Sequence, residues 1–406
     1  MTGGAEPSRL LGLQYCPRRV PIGEGGQGIV FAFENDPWHA IKVFRRPRPE
    51  LSTRMRHLAV IVKLHAATAA GGWPLARSVA WPSRLIMNEA GEVGGYLMHR
   101  YGPPEHQPIT ALFTQTGRQA AFPGADWRFL AGVARNLAAV LAELHKTGFV
   151  VGDLKPDNIV IDPQGYVTLL DSDSMQFTDP SSGQVFASTA QTWDYAPPEL
   201  QATDFPRSPY TDNFSLAVLI LQLLLCGDHP FDGRPDDGSE VQRRDNIRHG
   251  RSHLTADGKV RLPKGAVEAD VLPPRIRALA VEALLDGHLD PRKRPAPARW
   301  FAELLTMTNE LTRCPVGHAY SPSHGQCPWC ARLVPGVRDR FGKIPAHGVR
   351  GPDAQPSVTK PPPPSGQVRA SPVQPVATGT HHARRRWWVP WTWFSRRQSA
   401  ATTTDM

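Results

Sequence analysis

Val151-Gly152-Asp153-Leu154-Lys155-Pro156-Asp157-Asn158 is the stretch on which the fold of this chain turns, and a second acidic site follows at Asp171-Ser172-Asp173. A carboxylate able to orient a hydroxyl, a lysine two residues on, and an amide plus a further carboxylate able to hold a hard cation are the parts that phosphoryl transfer requires. Oxygen donors of this kind suit Mg²⁺, which bridges phosphate oxygens.

Upstream, Gly23-Glu24-Gly25-Gly26-Gln27-Gly28-Ile29-Val30 fits GxGxxGxV and runs into an apolar segment fit for a strand. Glycines alone would suit any tight turn. Here they precede His39-Ala40-Ile41-Lys42-Val43-Phe44, an apolar run with one lysine inside it. Taken alone, Lys42 reads as an edge-strand lysine in solvent. Buried, it needs an anionic partner such as a nucleotide phosphate, and the order of motifs selects that reading. Downstream come Ala196-Pro197-Pro198-Glu199, then Thr211-Asp212-Asn213-Phe214-Ser215-Leu216 opening an apolar helix to Leu225, and then Asp290-Pro291-Arg292-Lys293-Arg294-Pro295. Asp212 could cap that helix. Phe129, Leu130, Val133, Leu137, Val140, Leu141 and Leu144 have the spacing of a helix over residues 126–145 buried on one face.

Over residues 10–310 these motifs resemble, in order, the eukaryotic-like Ser/Thr protein kinases. The resemblance implies an α+β, bilobal protein kinase-like fold, with a small β-rich N-lobe over about 10–100 and a helical C-lobe over about 101–310. It implies an ATP-dependent enzyme that transfers a phosphoryl group to protein hydroxyls. Asp153 would orient the substrate hydroxyl and Lys155 would neutralise the transferred group. Asn158 and Asp171 would hold Mg²⁺. Gly23, Gly25, Gly28 and Val30 would cover the nucleotide, and Lys42 would meet its α- and β-phosphates. His99-Arg100-Tyr101 would be the adenine hinge, Arg294 would pair with Glu199, and Ser188, Thr189 and Thr192 would lie in the activation segment as candidate phosphorylation sites.

Three departures matter. Val151-Gly152 stands where the family has His-Arg, so no arginine is placed to read a phosphorylated activation segment. Ser172-Asp173 replaces Phe-Gly and adds a carboxylate. The segment 51–64, expected to supply an acidic partner for Lys42, contains no acid, which leaves Glu50 as the nearest candidate. A pseudokinase scaffold that binds nucleotide and assembles partners is therefore the alternative to an active enzyme.

A second chemistry follows at once. Cys314-Pro315-Val316-Gly317-His318 and Cys327-Pro328-Trp329-Cys330 form a Cys-x₃-His and a Cys-x₂-Cys knuckle, the paired spacing of a tetrahedral Zn²⁺ site, with His324 as an alternative to His318. Cys16 and Cys226 read as unreactive thiols. Residues 311–334 are expected to form a zinc ribbon that docks a protein or simply staples the kinase C-terminus. With Ala80-Trp81-Pro82 and Asp171-Ser172-Asp173-Ser174, this pattern is similar to bacterial tellurium-resistance-associated kinases. That resemblance implies a 2C-type protein phosphatase and a von Willebrand A-domain protein as partners.

The 406 residues carry a net charge of +9, with arginines clustered near the end. No apolar run long enough to span a bilayer and no secretion signal are found, so a cytoplasmic location is expected. Residues 102–125 and 228–262 read as polar insertions, and residues 335–383 as a disordered Pro-rich linker. In the tail, 384–406, tryptophans between arginines suit peripheral contact with the inner membrane face better than nucleic acid.

Overall fold

The computed structural model describes residues 18, 20–68, 72–202, 205–236, 238–255, 260–334 and 339–342. The sequence readings of Cys16, of the Arg/Trp-rich tail and of nearly all the Pro-rich stretch therefore lie outside the described residues.

Five antiparallel strands build the N-lobe: β1 (Gly23–Glu24), β2 (Gly28–Ala32), β3 (His39–Phe44), β4 (Arg84–Met87) and β5 (Val93–His99), in the order β1-β2-β3-β5-β4. The register pairs Val30 with Lys42 and Lys42 with Tyr96, so these three stand in one row on one face. One residue along, Ile41 pairs with Leu97 and both turn to the opposite face, where Phe33 and Ile86 complete a small separate core. Helix α1 (Pro49–Thr68) packs against the sheet through Met55, Leu58 and Ile61, all buried. Its outer surface leaves Val60 and Leu64 exposed.

The C-lobe is organised by three helices. In α2 (Trp127–Lys146) the Asp126 carboxylate caps the first turn by accepting from Phe129 N at 3.0 Å. The apolar stripe expected from the sequence is buried as predicted. α3 (Pro209–Leu224) is buried from Thr211 onward and starts earlier than expected, because Ser208 and Thr211 form its capping box. Asp212 is thus not the cap. It lies inside the helix, and its carboxylate is spent on the main chain at Val151 and Gly152. α4 (Pro297–Glu310) lies along α2 and leads into the ribbon.

The two polar insertions are more ordered than their composition suggests. Residues 102–125 contain a strand segment, Gln107–Pro108, paired with residues 160 and 161, and a helix, Gln115–Ala121, capped by Thr114. Residues 228–262 contain the helix Arg243–Arg248. In the first insertion, buried Arg118 donates to nearby Leu112 O at 2.6 Å and to Arg340 O at 2.7 Å, the latter a long-range partner that sequence spacing does not reveal.

The larger apolar core runs from Phe44 and Met55 in the N-lobe through α2 and α3 to Cys314, Trp329 and Phe341. Among the described residues no helix is long and apolar enough to cross a membrane.

Candidate active site and metal centre

The loop from Val151 to Asn158 is held from below by α3. The Asp212 carboxylate accepts from Val151 N at 2.7 Å and Gly152 N at 2.9 Å, and His145 Nε2 lies 3.0 Å from it. Gly152 has φ +77°, where a side chain is strained, and a Cβ there would stand 2.4 Å from Ser188 Oγ. Ser188 thus packs directly onto the position at which the kinase pattern would place an arginine. Ser188 is buried, whereas Thr189 is exposed and Thr192 half-buried.

Asp153 is buried, and its Oδ2 sits 3.0 Å from Lys155 Nζ. Asn158 Nδ2 donates to Asp153 O at 3.3 Å, and Asn158 O accepts from Leu170 N at 2.8 Å. These bonds couple the loop to the strand pair Ile159–Ile161 and Val167–Leu169, which delivers Asp171 into the same cleft. Asp171 itself is left-handed at φ 62° and opens the 3₁₀ turn Ser172–Ser174.

Lys42 reaches across from the sheet into that turn. Its ammonium donates to Asp171 Oδ1 and to both oxygens of Asp173, at 2.7 and 2.9 Å, and the Tyr96 hydroxyl donates to Asp173 Oδ1 at 2.7 Å. The lysine is therefore buried and paired, and the solvent-edge alternative is excluded. Burial alone would lower its pKa, but Asp173 and Asp171 outweigh that and raise it. Burial likewise pushes Asp171 up, yet the Lys42 charge holds it below the ordinary carboxylate range. Asp173 is raised by its complete burial, which Lys42 opposes and Asp171 reinforces.

Glu50 does not take the role expected of it. It stands exposed in the first turn of α1, and the acid on Lys42 comes from Asp173. Sequence reasoning missed this because it looked for the partner on the helix, although the second carboxylate of Asp-Ser-Asp was the visible signal. The inward contact of α1 is instead Arg54, which donates to Asp173 O at 2.8 Å, to Ala187 O at 3.0 Å and to Met175 O. In the glycine loop, Gly25 N donates to Gly28 O at 2.9 Å. A Cβ on Gly28 would meet Val43 O at 2.6 Å, so close approach of backbones demands glycine there. Gly23 and Val30 face each other across β1 and β2.

The second centre gathers Cys314, His318, Cys327 and Cys330, whose ligand atoms lie within 4.8 Å of one another. Cys314 Sγ is 3.6 Å from Cys330 Sγ, and His318 Nδ1 is 3.8 and 3.4 Å from the Cys327 and Cys330 sulfurs. Zn–S and Zn–N bonds of roughly 2.3 and 2.1 Å imply tetrahedral edges of about 3.8 Å between sulfurs and slightly less to nitrogen, so these residues fit Zn²⁺. His324 is not part of this set, because its Nε2 bonds Val271 O at 2.9 Å. His318 Nε2 meets Asp339 Oδ2 at 3.0 Å, the outer partner that fixes a ligating imidazole. Buried Cys226 lies apart, its thiol pushed up to about 12 by burial.

The ribbon is seated on the C-lobe. Trp329 packs edge-on against Trp127 at 5.6 Å and Phe341 at 5.0 Å, and its Nε1 donates to Ala319 O at 3.1 Å. Arg313 Nη2 bonds Asp126 Oδ2 at 2.7 Å, and Arg332 pairs with Asp270. Deeper in the lobe, Arg294 clamps Glu199 with two bonds of 2.7 and 2.8 Å.

Residues 105–303 match the family model described as Protein kinase domain. The chain carries a protein kinase domain. It is 30% identical over 329 residues to "Protein kinase YegI" of Escherichia coli (strain K12), covering 78% of this chain and 48% of that protein. It is 31% identical over 159 residues to "Serine/threonine-protein kinase sck2" of Schizosaccharomyces pombe, covering 39% of this chain and 22% of that protein. The chain spans about half the length of the first of these relatives. These matches support a eukaryotic-like kinase of bacterial type, and the kinase domain implies ATP and Mg²⁺ as its cofactors.

Proposed function

We propose that the chain is an ATP-dependent protein Ser/Thr kinase. The observation that carries this is that Lys42 from the N-lobe sheet meets Asp171, which follows the same C-lobe strand pair that Asn158 leads into, beside the Asp153–Lys155 pair. ATP with Mg²⁺ supplies the phosphoryl group and neutralises its developing charge. Lys42 anchors the α- and β-phosphates under the glycine loop formed by Gly23, Gly25, Gly28 and Val30. Asn158 and Asp171 hold the metal by oxygen. Asp153 orients the acceptor hydroxyl and takes its proton, while Lys155, already at hydrogen-bond distance, balances charge on the group in flight. Loss of a catalytic side chain is what usually marks a pseudokinase scaffold, and none of these is lost from the sequence, which favours the enzyme.

Cys314, His318, Cys327 and Cys330 would bind zinc as a structural ion, since four protein ligands leave no open position for chemistry. The ribbon buries Trp329 and Phe341 against the kinase core, which supports stapling of the C-lobe over partner docking. The proposal keeps protein hydroxyls as substrate. On the resemblance to tellurium-resistance-associated kinases, it extends to a 2C-type phosphatase and a von Willebrand A-domain protein as partners, and on the composition of the tail to a cytoplasmic enzyme touching the inner membrane face.

The test is transfer of labelled phosphate from ATP to the protein itself or to a generic acceptor. Asp153→Asn should lower the rate by about 10²- to 10⁴-fold while ATP still binds, as loss of a general base does. Wild type that binds ATP with Mg²⁺ yet labels no better than Asp153→Asn would end the enzyme reading.

A further inference from the structure

The turn that carries the metal carboxylate also carries the acid that positions Lys42. We propose that Asp173 is the positioning residue for Lys42, so that the lysine clamp is assembled within the Asp171–Ser174 turn and does not depend on an acid from α1. The inference rests on the kinase reading and deepens it.

Four observations support it. Asp173 meets the Lys42 ammonium with both oxygens, whereas Asp171 uses one. Asp173 is 1% exposed and Asp171 is half-buried, so Asp171 can turn to a cation in the cleft while Asp173 cannot leave its place. Tyr96 fixes one Asp173 oxygen from β5. The turn is itself anchored, since Ser172 Oγ donates to Ala80 O at 2.7 Å and Ser174 Oγ to Asp171 O at 2.8 Å. The Ala80-Trp81-Pro82 motif thereby gains a purpose: it is the fixed wall against which the acidic turn is hung.

α1 contributes the complementary half. Its Arg54 grips the main-chain oxygens of Asp173, Met175 and Ala187, so the helix holds the turn and the activation segment by carbonyls and offers Lys42 no carboxylate. With Asp171 turned to a cation, Asp173 would still hold the ammonium with both oxygens and so fix where it meets the α- and β-phosphates. Being two residues from Asp171, it arrives with the metal site as one folded unit, and the clamp needs no separate helix movement.

A mutant cycle on the full chain, read by calorimetric binding of ATP with Mg²⁺, tests this. Asp173→Asn keeps the shape and removes the charge, and it should weaken ATP binding about 10-fold, in line with breaking one member of a buried charge pair. In a Lys42→Met background the same substitution should change binding by less than about 2-fold, because the interaction it removes is already gone. An equal loss in both backgrounds would show Asp173 acting as a metal ligand and would overturn the proposal, as would unchanged binding in the wild-type background. Should Asp173→Asn fail to fold, Tyr96→Phe replaces it in the same cycle with an expected loss of about 2- to 3-fold, typical of one hydrogen bond to a charged group in a shared network; equal binding to wild type would then overturn the proposal. Because binding is read without transfer, failure of the kinase reading and failure of this inference give different results.

Discussion

In the cleft, one ammonium is shared by two carboxylates and backed by a phenol, groups drawn from β3, β5 and the turn that Asp171 opens; in the ribbon, four groups able to bind a metal come from two knuckles between residues 314 and 330. The cleft neutralises buried charge by contacts between residues far apart in sequence. The ribbon gathers its cysteines and histidine from neighbours in sequence, and it is secured by apolar packing on Trp127. The contrast teaches that a local motif announces its own chemistry but not its surroundings. Long-range charge pairs announce neither until the chain is folded.

The seat of the ribbon offers the largest way to break the comparison. Trp329→Ala removes a buried indole shared by the ribbon and α2, and should destabilise the kinase domain by about 3–5 kcal/mol, as large-to-small aromatic changes in cores do. Urea unfolding followed by fluorescence of the remaining tryptophans checks it; a wild-type midpoint would mean the ribbon is an appendage. Next, Asp339→Asn should weaken zinc affinity by about 10- to 100-fold with the ligands intact, the usual cost of losing an outer partner of a ligating imidazole. Competition with a chromogenic chelator measures that.

A third experiment uses pH at a buried group outside both centres. His229 is held well below the ordinary histidine value, first by burial and then by the nearby Arg243 charge, against the hydrogen bond to Asp194 O at 3.0 Å. Phe231 N donates to its Nδ1 at 3.2 Å, so the ring is neutral with the proton on Nε2. The unfolded chain binds a proton at this residue below the ordinary histidine value of 6.5 and the folded chain does not, so stability is full above that pH and falls as pH drops through it. The slope from this residue approaches about 1.4 kcal/mol per pH unit, and His229→Gln should flatten the urea-midpoint profile in that window. The smallest effect is expected at Glu50: Glu50→Gln should leave ATP binding and melting temperature unchanged within about 0.5 kcal/mol, as an exposed first-turn residue should. A marked loss of ATP binding would restore α1 as the source of the acid and erase the difference between the two regions.

Much of the fold could be read from residue order. The glycine loop, the lysine strand, the amphipathic stripe of α2 and the apolar run of α3 each have a period or a spacing that only one element satisfies. The pair Glu199–Arg294 could also be anticipated, because both ends sit in motifs. Other features left no such trace. Asp212 looks like a helix cap by its position, and only the folded lobe shows its carboxylate bound to Val151 and Gly152. Ser188 looks like any loop hydroxyl, but it is buried over Gly152.

By itself the sequence determined which side chains the proposed chemistry would use: Asp153, Lys155, Asn158, Asp171 and Lys42 for transfer, and Cys314, His318, Cys327 and Cys330 for a metal. Reactive groups of these types at these intervals have few other uses. Tertiary structure alone decided that Asp173 and not Glu50 faces Lys42, that α1 holds the acidic turn through Arg54, and that the ribbon is built into the C-lobe. Those outcomes depend on which buried charges and aromatic faces meet across the core, and desolvation makes such meetings decisive only once water has been excluded.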